Sequence, residues 1–247
     1  MLRTMHHLAC TGGTLLSRYV ASMKDVTLLS EVNPAAPQSH YFNPLDPIAV
    51  MSHKSSVINA AFTEAEQLRR YKICVDVAKQ MNTKIVFRDH SHTDYSFGTI
   101  KRRSLLTLLQ KLDKKIASLV TVRNPIDSWY GLIAANFPRV ESFQDYCERY
   151  NVFLDDYADL PVVKYEDFVA VPQRSGQQIC SALSLPYLDD FESLHAVTLT
   201  GNSGRGQLMN EIRKLDRRPL TKAQSGPMYK TKAVTDLFDR LSYDWDL

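Results

Sequence analysis

Thr4-Met5-His6-His7-Leu8-Ala9-Cys10-Thr11-Gly12-Gly13-Thr14-Leu15-Leu16-Ser17-Arg18-Tyr19 is the stretch on which the fold turns. It reads as a strand over residues 4–10, a tight glycine turn, and a helix over 14–23. Leu15, Leu16, Tyr19 and Val20 recur at helical spacing and give that helix an apolar face. A strand that runs straight into a helix points backbone N–H groups and the positive end of the helix dipole at the space above the strand. That corner suits a phosphate or sulfate. Gly12 and Gly13 let the backbone approach such an anion closely.

Outward from this corner, strands and helices alternate. Val26-Thr27-Leu28-Leu29 is a second strand, and Pro34, Pro37, Pro44 and Pro47 exclude long regular structure over 33–53. A loop of that length in one domain is expected on the substrate side. A long helix is expected over 55–81, with Thr63-Glu64-Ala65-Glu66 as a first turn. Lys84-Ile85-Val86-Phe87 is the third strand, followed by a Leu-rich helix over 101–112. Residues 116–122 make a buried fourth strand, and Pro125 is placed to open the next helix, Ile126 to Ala135. A helix over 141–156, a strand over 161–165, a helix over 172–184 and a last amphipathic helix over 231–242 complete the pattern. Alternation of this kind predicts βαβ units: one α/β domain over 1–247, a three-layer α/β/α sandwich on a mostly parallel sheet. Ligands in such sheets bind beyond the carboxyl ends of the strands.

Composition narrows the function. The 247 residues carry a formal net charge of +3, which gives no general affinity for polyanions and no expectation of a nucleic-acid partner. Cys10, Cys74, Cys147 and Cys180 are scattered, without a CxxC pair, which fits a reducing cytosol better than a disulfide framework. The N-terminus is too polar for a signal peptide, and no apolar run approaches the roughly 18–20 residues of a membrane helix. A cytoplasmic protein without membrane insertion is therefore expected.

The polar residues at the strand ends carry the chemistry. Thr11 and Thr14 add hydroxyl donors to the glycine corner, yet nothing matches GxxxxGK[ST], so the lysine of ATP-hydrolysing loops is absent. Arg123, in Arg123-Asn124-Pro125, offers a planar fork of donors suited to phosphate; a salt bridge to Asp127 or Asp167 is the alternative use. Arg88-Asp89-His90-Ser91-His92 supplies a candidate general base in His90. With no third ligand in reach of His90 and His92, no metal site is expected. Glu31, at the end of the second strand, is a second candidate base, while His6 and His7 read as structural. Gly201-Asn202-Ser203-Gly204-Arg205-Gly206 can fold over a phosphate as a nest of amides.

Taken in order, these pieces resemble the sulfotransferase family, P-loop-type enzymes that use 3′-phosphoadenosine-5′-phosphosulfate (PAPS) and release 3′,5′-bisphosphoadenosine. Cys10 to Ser17 is similar to the family's 5′-phosphosulfate loop, and Leu119 to Pro125 to its 3′-phosphate motif. Val163-Lys164-Tyr165-Glu166-Asp167-Phe168 and the late glycine loop match two further landmarks. The resemblance implies transfer of a sulfuryl group to a hydroxyl or amine of a small-molecule acceptor, with no metal needed to bind the donor. It assigns Gly12, Gly13 and Thr14 to the phosphosulfate and Arg123 to the 3′-phosphate, with Thr11 and Leu15 also counted among the cofactor-binding residues and Ser128, one turn before Gly131, as the substitute for the family's serine if the local geometry allows it. Ser203, Gly204 and Arg205 would cover the nucleotide. Family precedents exist for a base at His90 and for one at Glu31, and Arg88 stands where cytosolic members carry a lysine. Two positions depart from the pattern. Thr11 occupies the place of a cation, which would have to come from Arg88, Arg18 or Arg205, and Gly131 occupies the place of a serine. The loops 33–53 and 206–229 would shape the acceptor pocket, with Tyr41, Phe42, Tyr95, Phe97 and Trp129 as candidate walls. The alternatives are a small-molecule kinase on a related scaffold and a non-catalytic nucleotide-binding protein.

Overall fold

A computed structural model describes residues 1–34, 60–96, 98–135, 140–197, 199, 212–214 and 230–245. Five strands form one parallel sheet: β1 (Leu2–His6), β2 (Val26–Val32), β3 (Lys84–Asp89), β4 (Ile116–Val122) and β5 (Val162–Lys164). Their order is β2-β3-β1-β4-β5, so the first strand lies at the centre. The helices are α1 (Gly13–Ala21), α2 (Ala60–Gln80), α3 (His92–Tyr95), α4 (Ser104–Leu109) and α5 (Pro125–Ala134). They continue with α6 (Phe143–Asp156), α7 (Tyr165–Ala170), α8 (Pro172–Leu183) and α9 (Lys232–Leu241).

Alternation along the strands sorts residues onto two covered faces. Met5, Val86, Leu119 and Val163 pack against Leu15, Leu16, Tyr19 and Val20 of α1 and Ile179 and Leu183 of α8. On the opposite face Val120 and Val122 pack against α6 and α9, and Phe87 packs against α2 and α4. The three-layer α/β/α arrangement anticipated from the alternation is therefore present.

Several boundaries differ from the sequence reading. β1 ends at His6, and residues 7–12 form a loop instead of the end of a strand. Its turn is made by left-handed backbone at Cys10 (φ 63°) and Gly12 (φ 79°), which no strand accommodates. The helix expected from residue 55 is described from Ala60, so Thr63 lies inside it and does not cap it. The segment after β5 turns helical at Tyr165, where a continuing strand end was expected. Asn124 caps α5 by accepting from the Ile126 amide at 2.9 Å, with Pro125 in the first turn as anticipated.

Candidate functional site

The β1–α1 loop sits between the carboxyl ends of β3 and β4, because β1 is flanked by those two strands. Gly12 caps α1 in the left-handed region, and the Leu15 amide bonds back to the Gly12 carbonyl at 3.0 Å. That leaves the Gly13 and Thr14 amides as the outward donors of the helix end. Thr11 has a different use. It is fully buried, and its hydroxyl donates to the Leu8 carbonyl at 2.8 Å, so it closes the loop on itself. Leu15 contributes its side chain to the core beneath.

Arg88 arrives from β3 on the α1 side of the sheet. Its Cα is the register partner of Met5, whose side chain lies in the α1-side core. The guanidinium is only 4% exposed and is held from three directions. Its Nε and Nη2 donate to Nε2 of His7, at 3.2 and 3.0 Å. Nη1 donates to the Ser30 hydroxyl at 2.8 Å and lies 3.5 Å from Oε1 of Glu31. Nη2 reaches the Thr14 hydroxyl at 3.2 Å, in the first turn of α1. Burial pushes the Arg88 pKa down to about 10, with Glu31 acting against the shift, so the group remains a cation at neutral pH.

Ser30 and Glu31 are neighbours in sequence, yet both reach one guanidinium. A regular strand would send them to opposite faces. The pairing of β2 with β3 shifts register between Leu29 and Val32, and Glu31 takes φ 58°. This bulge re-aims the Glu31 side chain, at a cost on the order of 1 kcal/mol for a non-glycine residue in the left-handed region.

His90 follows β3, with Nδ1 hydrogen-bonded to the Thr93 hydroxyl at 2.7 Å. Its ring centroid lies 3.5 Å from that of His92. The backbone between them is helical at Ser91 (φ −56°, ψ −27°). Burial, together with His90 and Arg88, holds His92 well below the usual histidine pKa. Among the described residues no group of three His, Cys, Asp or Glu side chains could hold a metal ion.

Arg123 ends β4. Its guanidinium lies 4.7 Å from the centroid of the Tyr165 ring, and its buried Nε has no hydrogen-bond partner among the described residues. The same tyrosine ring lies against Gly12, where an added Cβ would come within 2.2 Å of it. Tyr165 therefore stands between the glycine turn and Arg123. Glu166 fixes this strand end from the side, accepting from the Asn124 amide at 2.9 Å and the Tyr243 hydroxyl at 2.6 Å.

Ser128 is fully buried, and its hydroxyl donates to the Asn124 carbonyl at 3.1 Å. Gly131 faces Cys10: a Cβ there would meet the Cys10 Cβ at 2.8 Å, which explains why the serine of the family pattern has no room. Tyr95, expected along an acceptor pocket, is instead fully buried and donates to Asp156 at 2.8 Å. Trp129 packs against Phe143 and Tyr146. Ser203, Gly204 and Arg205 lie outside the described residues, as do Tyr41, Phe42, Phe97, most of 33–53 and most of 206–229. Among the described residues no helix is long and apolar enough to cross a membrane.

No protein-family model matches the chain, and no curated protein matches it in sequence. Solved structures match it in shape. The sulfotransferase domain from the curacin biosynthetic pathway aligns with 100% of this chain and 98% of its own, at 14% identity and a TM-score of 0.59. The sulfotransferase domain from the Synechococcus PCC 7002 olefin synthase aligns with 100% of this chain and 96% of its own, at 16% identity and the same TM-score of 0.59. At such identities the likeness is one of fold.

Proposed function

With the sulfotransferase fold as premise, we propose that this protein moves a sulfuryl group from PAPS to a hydroxyl or amine of a small-molecule acceptor. The observation that carries the reading is the placement of Arg88, a buried cation that touches both the first turn of α1 and a carboxylate at the neighbouring strand end. It supplies the positive charge that Thr11 does not. The donor set fits a bisphosphate nucleotide: the amides of Gly13 and Thr14 lie at one end, and the orphaned Nε of Arg123 lies at the other.

PAPS supplies the activated sulfuryl group and a bisphosphate leaving group. Sulfuryl transfer is an in-line displacement, so by analogy with phosphoryl transfer its catalysis is positioning and charge stabilisation. Gly13, Thr14 and Arg88 stabilise charge on the departing phosphate oxygen. Arg123 holds the 3′-phosphate. Glu31 takes the acceptor proton as the new sulfur–oxygen or sulfur–nitrogen bond forms. Glu31 is preferred to His90 because it lies 3.5 Å from the Arg88 guanidinium and bears left-handed backbone strain, a mark of a side chain aimed for use.

Thermal shift tests the donor. Bisphosphoadenosine should raise the melting temperature without magnesium, and ATP with magnesium should do much less. A magnesium-dependent shift with ATP alone would favour the kinase reading. Arg123→Ala should abolish the bisphosphate shift and leave the fold intact. Once an acceptor is found by screening, Glu31→Gln should abolish turnover with nucleotide binding retained. Full activity in that variant and none in His90→Ala would move the base to His90.

A further inference from the structure

His7 enters none of the steps above, and its sequence position reads as structural. Its surroundings assign it more. The ring lies against the backbone of α1: a Cβ added at Gly13 would meet its Cδ2 at 2.4 Å. Its Nε2 receives two guanidinium N–H groups of Arg88, at 3.2 and 3.0 Å. Arg88 is always a donor, so Nε2 must present a lone pair, and the ring proton must sit on Nδ1. The charged or titratable groups around the ring are Arg88 from β3, His90 and His92 beyond it, and His6 on β1. Burial first, and then these neighbours, hold His7 well below the usual histidine pKa, which keeps the lone pair in place. The loop backbone is anchored separately: the His7 amide donates to the Ser91 hydroxyl at 3.3 Å.

We propose that His7 is the positioning residue of the donor site, an uncharged imidazole whose Nε2 lone pair aims the Arg88 guanidinium at the first turn of α1. The proposal rests on the donor reading above. Without that acceptor the guanidinium keeps Ser30, Glu31 and Thr14 as partners, and the two on the β2 side pull it away from the helix end.

Two measurements test it. Nitrogen NMR of the unmodified protein near neutral pH should show His7 as the Nδ1–H tautomer; an Nε2–H tautomer or a charged ring would overturn the proposal without any variant. Calorimetric titration with bisphosphoadenosine should then show His7→Gln, which keeps an acceptor oxygen, within about threefold of the unmodified affinity. His7→Leu should lose about tenfold, the scale of one hydrogen bond to a charged group. In an Arg88→Ala background the same His7→Leu change should alter affinity by less than about twofold, because its effect runs through Arg88. Equal losses in both backgrounds, or none in either, would remove this proposal and leave the donor reading standing. Absence of binding to the unmodified protein would remove both. If His7→Leu does not fold, the tautomer and the His7→Gln affinity decide.

Discussion

The two faces of the sheet treat the same residue types in opposite ways. His6 and His7 are adjacent on the chain, as are Arg88 and Asp89, and alternation sends one of each pair to each side. On the α1 face, His7 and Arg88 build a cluster that ends on the first turn of a helix and on a strained glutamate. On the other face, His6 and Asp89 build a closed-in network of buried side chains. The His6 ring bonds Asp89 at 2.8 Å and Thr4 at 2.8 Å, Thr4 bonds Ser118 at 2.6 Å, and the ring stacks on Tyr157 at 4.3 Å. Asp89 also accepts from Ser91 at 2.8 Å and from Asn33 at 3.0 Å. The histidine–carboxylate–hydroxyl relay away from the β1–α1 loop reads as scaffolding; under the proposed function the histidine–arginine pair beside α1 serves the donor. Where the hydrogen-bond chain ends separates them, not the residue types it contains.

Substitutions on the two faces should therefore differ in kind. The largest effect is expected on the closed face. His6→Ala leaves the Asp89 carboxylate buried without its ring partner and should cost roughly 3–5 kcal/mol of stability by denaturant titration, with nucleotide affinity unchanged while the protein is folded. An affinity loss at full folding would break the distinction. Arg88→Ala should do the reverse, lowering bisphosphate affinity about 100-fold, or roughly 2.7 kcal/mol, more than it lowers stability.

Asp94 comes next. Burial and the neighbouring Asp89 raise its pKa to about 6, so the fold favours its protonated form. Its contribution to stability is fully present below the ordinary aspartate pKa near 4 and is lost as pH rises through about 6, a penalty on the order of 2–3 kcal/mol at neutral pH. Asp94→Asn should remove that penalty, so the variant should gain in melting temperature relative to the unmodified protein between pH 4 and pH 7. A difference independent of pH would show that Asp94 does not titrate there. The smallest effect belongs to Thr11→Val, which removes only the bond to the Leu8 carbonyl: about 1 kcal/mol of stability and no change in nucleotide affinity.

Much of this was legible in the sequence. Alternating apolar runs gave five strands in a parallel α/β sheet, and the helix after the glycines begins within one residue of its expected start. The glycine turn before α1 and the arginine at the end of β4 were readable because both carry local signals. What stayed hidden depends on register. The run His7 to Cys10 looks strand-like, and only its left-handed turn reveals the loop. His7 read as structural because nothing local says which face it takes or that Arg88 shares that face. The bulge at Ser30-Glu31 leaves no compositional trace. Thr11 and Ser128 have the right chemistry for a ligand, but their hydroxyls bond backbone carbonyls inside the protein.

The central place of β1 also governs when the site can come into being during synthesis. Met5 leaves the ribosome well before its strand neighbours Arg88 and Leu119, which lie far later in the chain. Parallel pairings of such long separation form slowly, since the intervening chain must be closed before any contact repays it. The glycine corner therefore waits without a sheet to stand on while the chain between β1 and β4 is made, and it takes its shape only when β4 arrives.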